Sequence, residues 1–153
     1  MKALVTGGSG YFGETLLDQL IDQGYECSVL DINPLDNRFE NKVRFFKADI
    51  RDFDKVLEAT KNIDCVFHNV AQVPLAKDKE LFDSVNNLGT KNILEASKLS
   101  GCNQLVYTSS SAIYGIPDSN PVNEQTTPNP VEEYGRAKLE GENQILKNFP
   151  LAT

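Results

Sequence analysis

Lys2-Ala-Leu-Val-Thr6-Gly7-Gly8-Ser9-Gly10-Tyr11-Phe12-Gly13 is the stretch on which the fold turns. A short β-type run over residues 2–6 meets a glycine cluster, after which Phe12, Leu16, Leu17, Leu20 and Ile21 recur at helical spacing over residues 11–23. Gly24 closes that helix, because glycine adopts the positive φ that a helix end needs. Farther out, residues 26–30, 43–46, 65–67 and 104–107 are short, β-branched or aromatic, and bounded by turn or polar residues, which marks strands two to five. Helical patterns lie between them over residues 53–60 and 79–99, the longer one carrying an apolar stripe of Leu81, Val85, Leu88, Ile93 and Leu94. After Tyr114 the chain reads as loop through Pro117, Pro121, Pro128 and Pro130, then as helix over about residues 131–147. Strands alternating with helices imply right-handed crossovers, hence an α/β fold built on a doubly wound parallel sheet of about five strands.

Composition narrows the classes. With 153 residues, 40% hydrophobic and 24% charged, the chain suits one globular domain, and disordered or collagen-like readings are excluded. Its 22 acidic against 15 basic residues give a formal charge of −7, which repels a polyphosphate backbone, and no basic run offsets it; nucleic acid is not an expected partner. No apolar run nears the roughly 20 residues of a spanning helix, and Met1-Lys2 leads into the first strand without signal-peptide architecture. A cytoplasmic protein with no membrane association is the expectation. Cys27, Cys65 and Cys102 lack metal-ligand spacing and lie in or beside apolar stretches, as buried reduced thiols do.

Gly7, Gly10 and Gly13 give Gly-x-x-Gly-x-x-Gly between a strand and a helix. Such a turn lets the backbone approach a pyrophosphate, packs the helix on the sheet, and points free N–H groups at the negative charge. Glycine-rich turns are common; the strand before this one and the helix after it are what make it informative. Asp31 ends the second strand about 20 residues on, where a carboxylate accepts both hydroxyls of an adenine ribose. A 2′-phosphate there would meet like charge, and no Arg or Lys follows until Arg38, so NAD is expected over NADP. The plain alternative is a solvated strand-end aspartate. Asp49 and Ile50, after strand three, are similarly placed to meet the adenine edge.

Tyr134 and Lys138 stand four apart on one helical face. Alone, the pair is a frequent coincidence on an amphipathic surface. Thr108-Ser109-Ser110-Ser111 at the end of strand five strengthens it, since that is the edge where open parallel sheets bind ligands. A cation about 4 Å from a phenol at an effective dielectric of 20 favours the phenolate by roughly 4 kcal/mol, about 3 pKa units, of which partial burial takes some back. Tyr134 would then remove a proton from an alcohol as hydride passes to a nicotinamide, with a serine hydroxyl holding the same oxygen.

Thr6-Gly-Gly-Ser-Gly-Tyr-Phe-Gly13, Asp31, Asp49-Ile50, His68-Asn-Val-Ala71, Asn86-Asn-Leu-Gly-Thr90, Ser109-Ser-Ser-Ala-Ile-Tyr-Gly115 and Tyr134-Gly-Arg-Ala-Lys138 together resemble the extended short-chain dehydrogenase/reductase family. Within it the chain is most similar to NAD-dependent nucleotide-sugar epimerases and dehydratases of the UDP-galactose 4-epimerase type. The resemblance spans the whole chain and implies a Rossmann-type domain over residues 1–153. It implies that Tyr11 and Phe12 touch the pyrophosphate, that Ala71 lines the nicotinamide side, and that Asn86 fixes local helix geometry. It makes Tyr134 the base, Lys138 its electrostatic partner and Ser110 the catalytic serine, four residues before Tyr114, with Ser111 as fallback. A small-molecule substrate of the nucleotide-sugar class is implied, as is a homodimer paired through the long helix and the Tyr134 helix.

Departures from the family pattern also inform. Dehydratases resemble Thr-Asp-Glu where this chain has Ser110-Ser111-Ala112, which disfavours 4,6-dehydration. The lysine that follows His-x-Ala-Gly in UDP-galactose 4-epimerase is replaced by Gln72-Val73-Pro74, so that particular substrate is not implied. Asn87 stands where the family has an apolar residue, and His68, the one histidine, reads as a strand-end core residue. Family members run to about twice this length, and residues 149–153 fall where a sixth strand should begin. The expectation is therefore a chain truncated at its C-terminus, lacking the last strands and the substrate domain. Three readings stand together: a nucleotide-sugar oxidoreductase, a catalytically incomplete NAD-binding module, and a hydroxysteroid-type dehydrogenase of the same superfamily.

Overall fold

Residues 1–73, 78–118 and 120–149 are described by a computed structural model. Pro74, in the departure after His68, and residues 150–153 of the expected sixth strand lie outside them. The five strands are β1 (Lys2–Thr6), β2 (Glu26–Asp31), β3 (Arg44–Lys47), β4 (Cys65–His68) and β5 (Gln104–Tyr107), all parallel in the order β3-β2-β1-β4-β5. The chain reverses its direction of travel across the sheet at β1, which pairs with both β2 and β4. That switch point is where the loops after neighbouring strands diverge and open a crevice.

Helices cover both faces, as a doubly wound sheet requires. Along β1, Leu4 faces one side, with Leu30, Val56, Val66, Ile93, Leu105 and Ile145, while Ala3 and Val5 face the other, with Leu17, Leu20, Val29 and Phe39. The first layer is α2 (Phe53–Thr60), α4 (Gly89–Leu99) and α5 (Glu133–Asn148); the second is α1 (Tyr11–Asp22). Burial on both faces is why β1 is a continuous apolar run over residues 3–5 rather than an alternating one.

Asp52 caps α2 by accepting from the Lys55 N–H, and Asp78 caps α3 (Lys79–Asp83) through the Leu81 N–H. The helix read over residues 79–99 is continuous but not uniform. Between α3 and α4 lies a π-helical turn, Ser84–Leu88, in which the Gly89 N–H reaches back to the Ser84 carbonyl. Elsewhere the boundaries differ from the sequence reading by one or two residues: β2 and β4 each run one residue further, and α5 begins at Glu133. A 3₁₀ turn, Ser111–Tyr114, follows β5 where the sequence suggested only a strand end. All three cysteines are buried free thiols, and no helix among the described residues is long and apolar enough to cross a membrane.

Candidate active site

The strand register aligns Thr6 with His68, His68 with Tyr107, and Asp31 with Lys47, so the loops carrying Gly7, Asp31, Asp49, Asn69 and Thr108 leave the sheet along one edge. Gly7 sits at φ +71°, its N–H donating to the Leu30 carbonyl and its carbonyl accepting from the Gly10 N–H at 3.2 Å. A Cβ on Gly13 would run into the Gly7 carbonyl oxygen and lie 2.7 Å from Gly8 Cα, so the close seat of α1 on the loop requires glycine there. One on Gly8 would press into Val29 of the buried sheet. Gly10 differs: among the described residues, the nearest atom a Cβ there would meet beyond its chain neighbours is the Gly7 carbonyl oxygen at 3.5 Å. The fold itself therefore leaves room for a side chain there, and Gly10 lines the cleft. α1 has no side-chain cap, and among the described residues nothing accepts the N–H groups of Tyr11 and Phe12. These are the donors an anion takes at a helix start.

The loop borders a cleft of about 460 Å³. Of the sequence-predicted residues, Gly7, Gly10, Asp31, Asp49, Ile50 and Ala71 line it. Tyr11, 92% exposed, and Phe12 stand on the first turn of α1 outside that lining, and Gly13 lies behind the loop. Asp31 is buried, with Oδ2 accepting from the Ser9 N–H at 3.0 Å and Oδ1 from the Asn33 N–H at 2.9 Å. Two N–H bonds leave about two of a carboxylate's four lone-pair sites, enough for a vicinal diol. Arg38 is turned away, bonded to Glu14 at 3.0 Å and Asp18 at 3.4 Å on α1, so it does not offset the Asp31 charge. Asn86 is buried below the lining: its Oδ1 accepts from the Gln72 N–H at 2.8 Å and its Nδ2 donates to the Gln72 carbonyl at 3.0 Å. Its side chain thereby holds the loop that carries Ala71.

The second cluster gathers where α5 meets the end of β5. Lys138 is 3% exposed, and its Nζ donates to the Thr108 carbonyl at 2.7 Å, lying 4.7 Å from the Tyr107 ring centre and 5.8 Å from that of Tyr134. Burial pushes the ammonium pKa down to about 8, partly offset by Glu142. The Tyr134 phenol is half-buried, and desolvation raises its pKa. The expected depression does not appear: the lysine donates to a backbone carbonyl, and for the phenol the loss of water dominates. Ser110 accepts the Ala112 N–H at 3.2 Å and caps the 3₁₀ turn, whereas Ser111 is exposed. Gly135 packs directly against the Ala112 carbonyl, where any Cβ would collide, so the backbones carrying Ser110 and Tyr134 are in contact.

Between the clusters, His68 is fully buried, with Nδ1 2.8 Å from Thr6 Oγ1 and Nε2 3.2 Å from Thr90 Oγ1. The Thr90 hydroxyl donates to the Asn86 carbonyl at 2.7 Å, so it must accept from His68 Nε2, leaving Nδ1 to accept from Thr6. Desolvation, with the nearby Lys138 charge, holds His68 neutral and pushes its pKa down to about 3. The core reading of this histidine therefore holds. Three residues that the sequence motifs contain, but to which they gave no individual role, also meet here. Thr108 anchors Lys138 through its carbonyl, and its hydroxyl donates to Asn69 Oδ1 at 2.6 Å. Asn69 Nδ2 and Ser109 Oγ are buried without hydrogen-bond partners among the described residues. Orphaned polar atoms at the ends of β4 and β5, free N–H groups at α1 and the open Gly10 backbone fit a polar, pyrophosphate-bearing ligand such as NAD.

Residues 3–148 match the family model described as the NAD dependent epimerase/dehydratase family. An uncharacterized protein of Sinorhizobium fredii is 57% identical over 92% of this chain and 35% of its own length. The human sterol-4-alpha-carboxylate 3-dehydrogenase, decarboxylating, is 34% identical over 97% of this chain and 42% of its own. The crystal structure of Thermus thermophilus UDP-glucose 4-epimerase in complex with NAD superposes with a TM-score of 0.85 at 34% identity, over 96% of this chain and 50% of that one. The chain thus spans half or less of the length of these relatives.

Proposed function

Because the chain belongs to the NAD dependent epimerase/dehydratase family, we propose that it binds NAD in the glycine-lined cleft and exchanges hydride with an alcohol or ketone carbon of a nucleotide sugar. Bound there, NAD serves as the hydride acceptor and donor. The remaining work falls to the chain's own residues. Gly7, Gly10 and Gly13 shape the pyrophosphate turn, the N–H groups of Tyr11 and Phe12 meet its charge, and Asp31 receives the adenine ribose hydroxyls and repels a 2′-phosphate. Asp49 and Ile50 border the adenine, and Ala71 the nicotinamide, with Asn86 supporting that loop. Ser110 holds the substrate oxygen, Tyr134 takes its proton, and the Lys138 ammonium lowers the cost of the phenolate that forms.

The observation that carries this reading is the buried Lys138 ammonium, held by the Thr108 carbonyl on the same strand edge as the cleft and beside the only half-buried phenol of α5. A desolvated cation has no packing advantage over a methionine there, so its presence points to chemistry. NADH should bind more tightly than NADPH, and equal or reversed affinity would sink the role of Asp31. Tyr134→Phe should abolish epimerisation of a UDP-hexose while NADH fluorescence titration is unchanged; a fully active Phe variant removes the base assignment. Pairing of two chains through α4 and α5 belongs to the same proposal, with sedimentation as its check.

A second reading has one observation in its favour, the 34% identity to the human sterol dehydrogenase. Steroid oxidation releases NADH stoichiometrically, whereas epimerisation leaves none. NADH absorbance with a sterol-4-alpha-carboxylate, against sugar isomerisation with UDP-glucose, therefore separates the two. A chain that binds NADH and turns over neither is the binding-module reading.

A further inference from the structure

Arg51 takes no part in the chemistry above, yet its side chain makes three hydrogen bonds at the cleft. Its backbone N–H and Nε both donate to Asp49 Oδ1 at 2.9 Å, its Nη2 donates to Asp49 Oδ2 at 2.6 Å, and its Nη1 crosses to Ser84 Oγ at 3.2 Å. A carboxylate offers about four lone-pair sites, two on each oxygen. Arg51 fills both on Oδ1 and one on Oδ2, so a single acceptor site remains, on Oδ2. The guanidinium also holds the Asp49 carboxyl below the ordinary carboxylate range, so the group is an acceptor only and cannot donate. The loop beneath has no freedom to swing: Asn92 Nδ2 donates to the carbonyls of Ile50 and Arg51 at 3.1 and 3.0 Å, and Gly89 packs against Ile50. Asp49, Arg51, Leu81 and Val85 all line the cleft, and the bond from Arg51 to Ser84 joins the loop after β3 to the helix that carries Leu81 and Val85.

We propose that Arg51 is a positioning residue that sets the base specificity of the cleft: by locking Asp49 and bridging to Ser84, it presents one fixed acceptor to the purine edge and so selects a base with an exocyclic amino group over one with a carbonyl. The proposal rests on the reading of the cleft as a dinucleotide site. An amino group donates to the free Oδ2 lone pair; a 6-oxo group at that position sets oxygen against carboxylate oxygen. Hydrogen bonds to a charged acceptor discriminate strongly, so the preference should be about tenfold or more.

The test compares Kd for NADH and for reduced nicotinamide hypoxanthine dinucleotide, in which the 6-amino group is replaced by oxo, by fluorescence titration of the 153-residue chain. The wild type should favour NADH by about tenfold. Arg51→Met should shrink that ratio at least threefold, because the freed carboxylate rotates; Arg51→Lys, which keeps the charge but loses the planar fork, should fall between and serves should the Met variant fail to fold. Asp49→Asn, whose amide can donate to the oxo group, should abolish or invert the preference. If both Kd values rise by one common factor in the Arg51 variants, the residue is structural and the proposal is overturned. A wild type that binds both ligands equally overturns it while leaving the NAD reading intact; a wild type that binds neither overturns that reading instead.

Discussion

Replacing Lys138 by methionine separates the energetic cost of the buried ammonium from its use. The side chain is 3% exposed, and burial lowers its pKa from the ordinary 10.5 to about 8. The folded-state pKa lies below the unfolded one, so between about pH 8 and 10.5 the unfolded chain binds more protons and stability rises with pH across that window. Below the window the charged lysine costs roughly 3 kcal/mol, at about 1.4 kcal/mol per pKa unit; by pH 9.5 about 2 kcal/mol of that is relieved. Methionine removes the titration but leaves the Thr108 carbonyl without its donor, a loss of about 1–3 kcal/mol. At pH 7 the two effects nearly offset, and the variant should lie within about 2 kcal/mol of wild type. From pH 7 to 9.5 the wild type should gain about 2 kcal/mol on the variant, as read by urea unfolding at each pH. Tyrosines that begin to titrate at the upper end are common to both proteins and cancel. A difference that moves by less than about 0.5 kcal/mol would show that the ammonium is not strained, and the inference from its burial to chemistry would fail with it.

Further outcomes follow from other contacts. Gly13→Ala should destabilise by about 1–3 kcal/mol or more, because the obstructing atoms are backbone; thermal unfolding with and without NADH reads it. His68 has a folded-state pKa of about 3, below its unfolded value, so its contribution is complete above about pH 6.5 and lost as pH falls towards 3. About 2 kcal/mol should disappear between pH 7 and 5, and a His68→Gln variant should show no such slope in urea titrations. Asn86→Leu removes both bonds to Gln72 and should weaken NADH binding about tenfold, measured by calorimetry; unchanged affinity would detach the loop from the cofactor.

What the sequence disclosed was local. The glycine loop, the helix it opens and Asp31 depend on residues close together in the chain, and strand–helix alternation implied the parallel sheet; its 3-2-1-4-5 order came from the structure. Tyr134 and Lys138 were legible as a pair because four residues make one helical turn. The partner of the lysine was not: the Thr108 carbonyl is a backbone group 30 residues away, with no sequence signature. The upward shift of the Tyr134 pKa was not legible either, because it comes from desolvation, which tertiary packing sets. Arg51 bridging to Ser84, 33 residues on, and Asn69 accepting from Thr108, 39 residues on, are likewise products of tertiary placement. The π turn escaped notice because the apolar stripe of residues 79–99 tolerates one extra residue without losing its pattern.

That extra residue divides one helix into two independently phased halves. An α-helix advances about 100° per residue, so deleting one position between Ser84 and Leu88 would restore a regular helix and rotate everything N-terminal to it by about that angle relative to α4. Leu81 and Val85 would swing off the cleft wall while Ile93 and Ala96 stayed locked in the core. The insertion therefore works as a coupling between two shafts. Side chains facing the ligand can be re-aimed by adding or removing a single residue, with the packing that stabilises the sheet left in register.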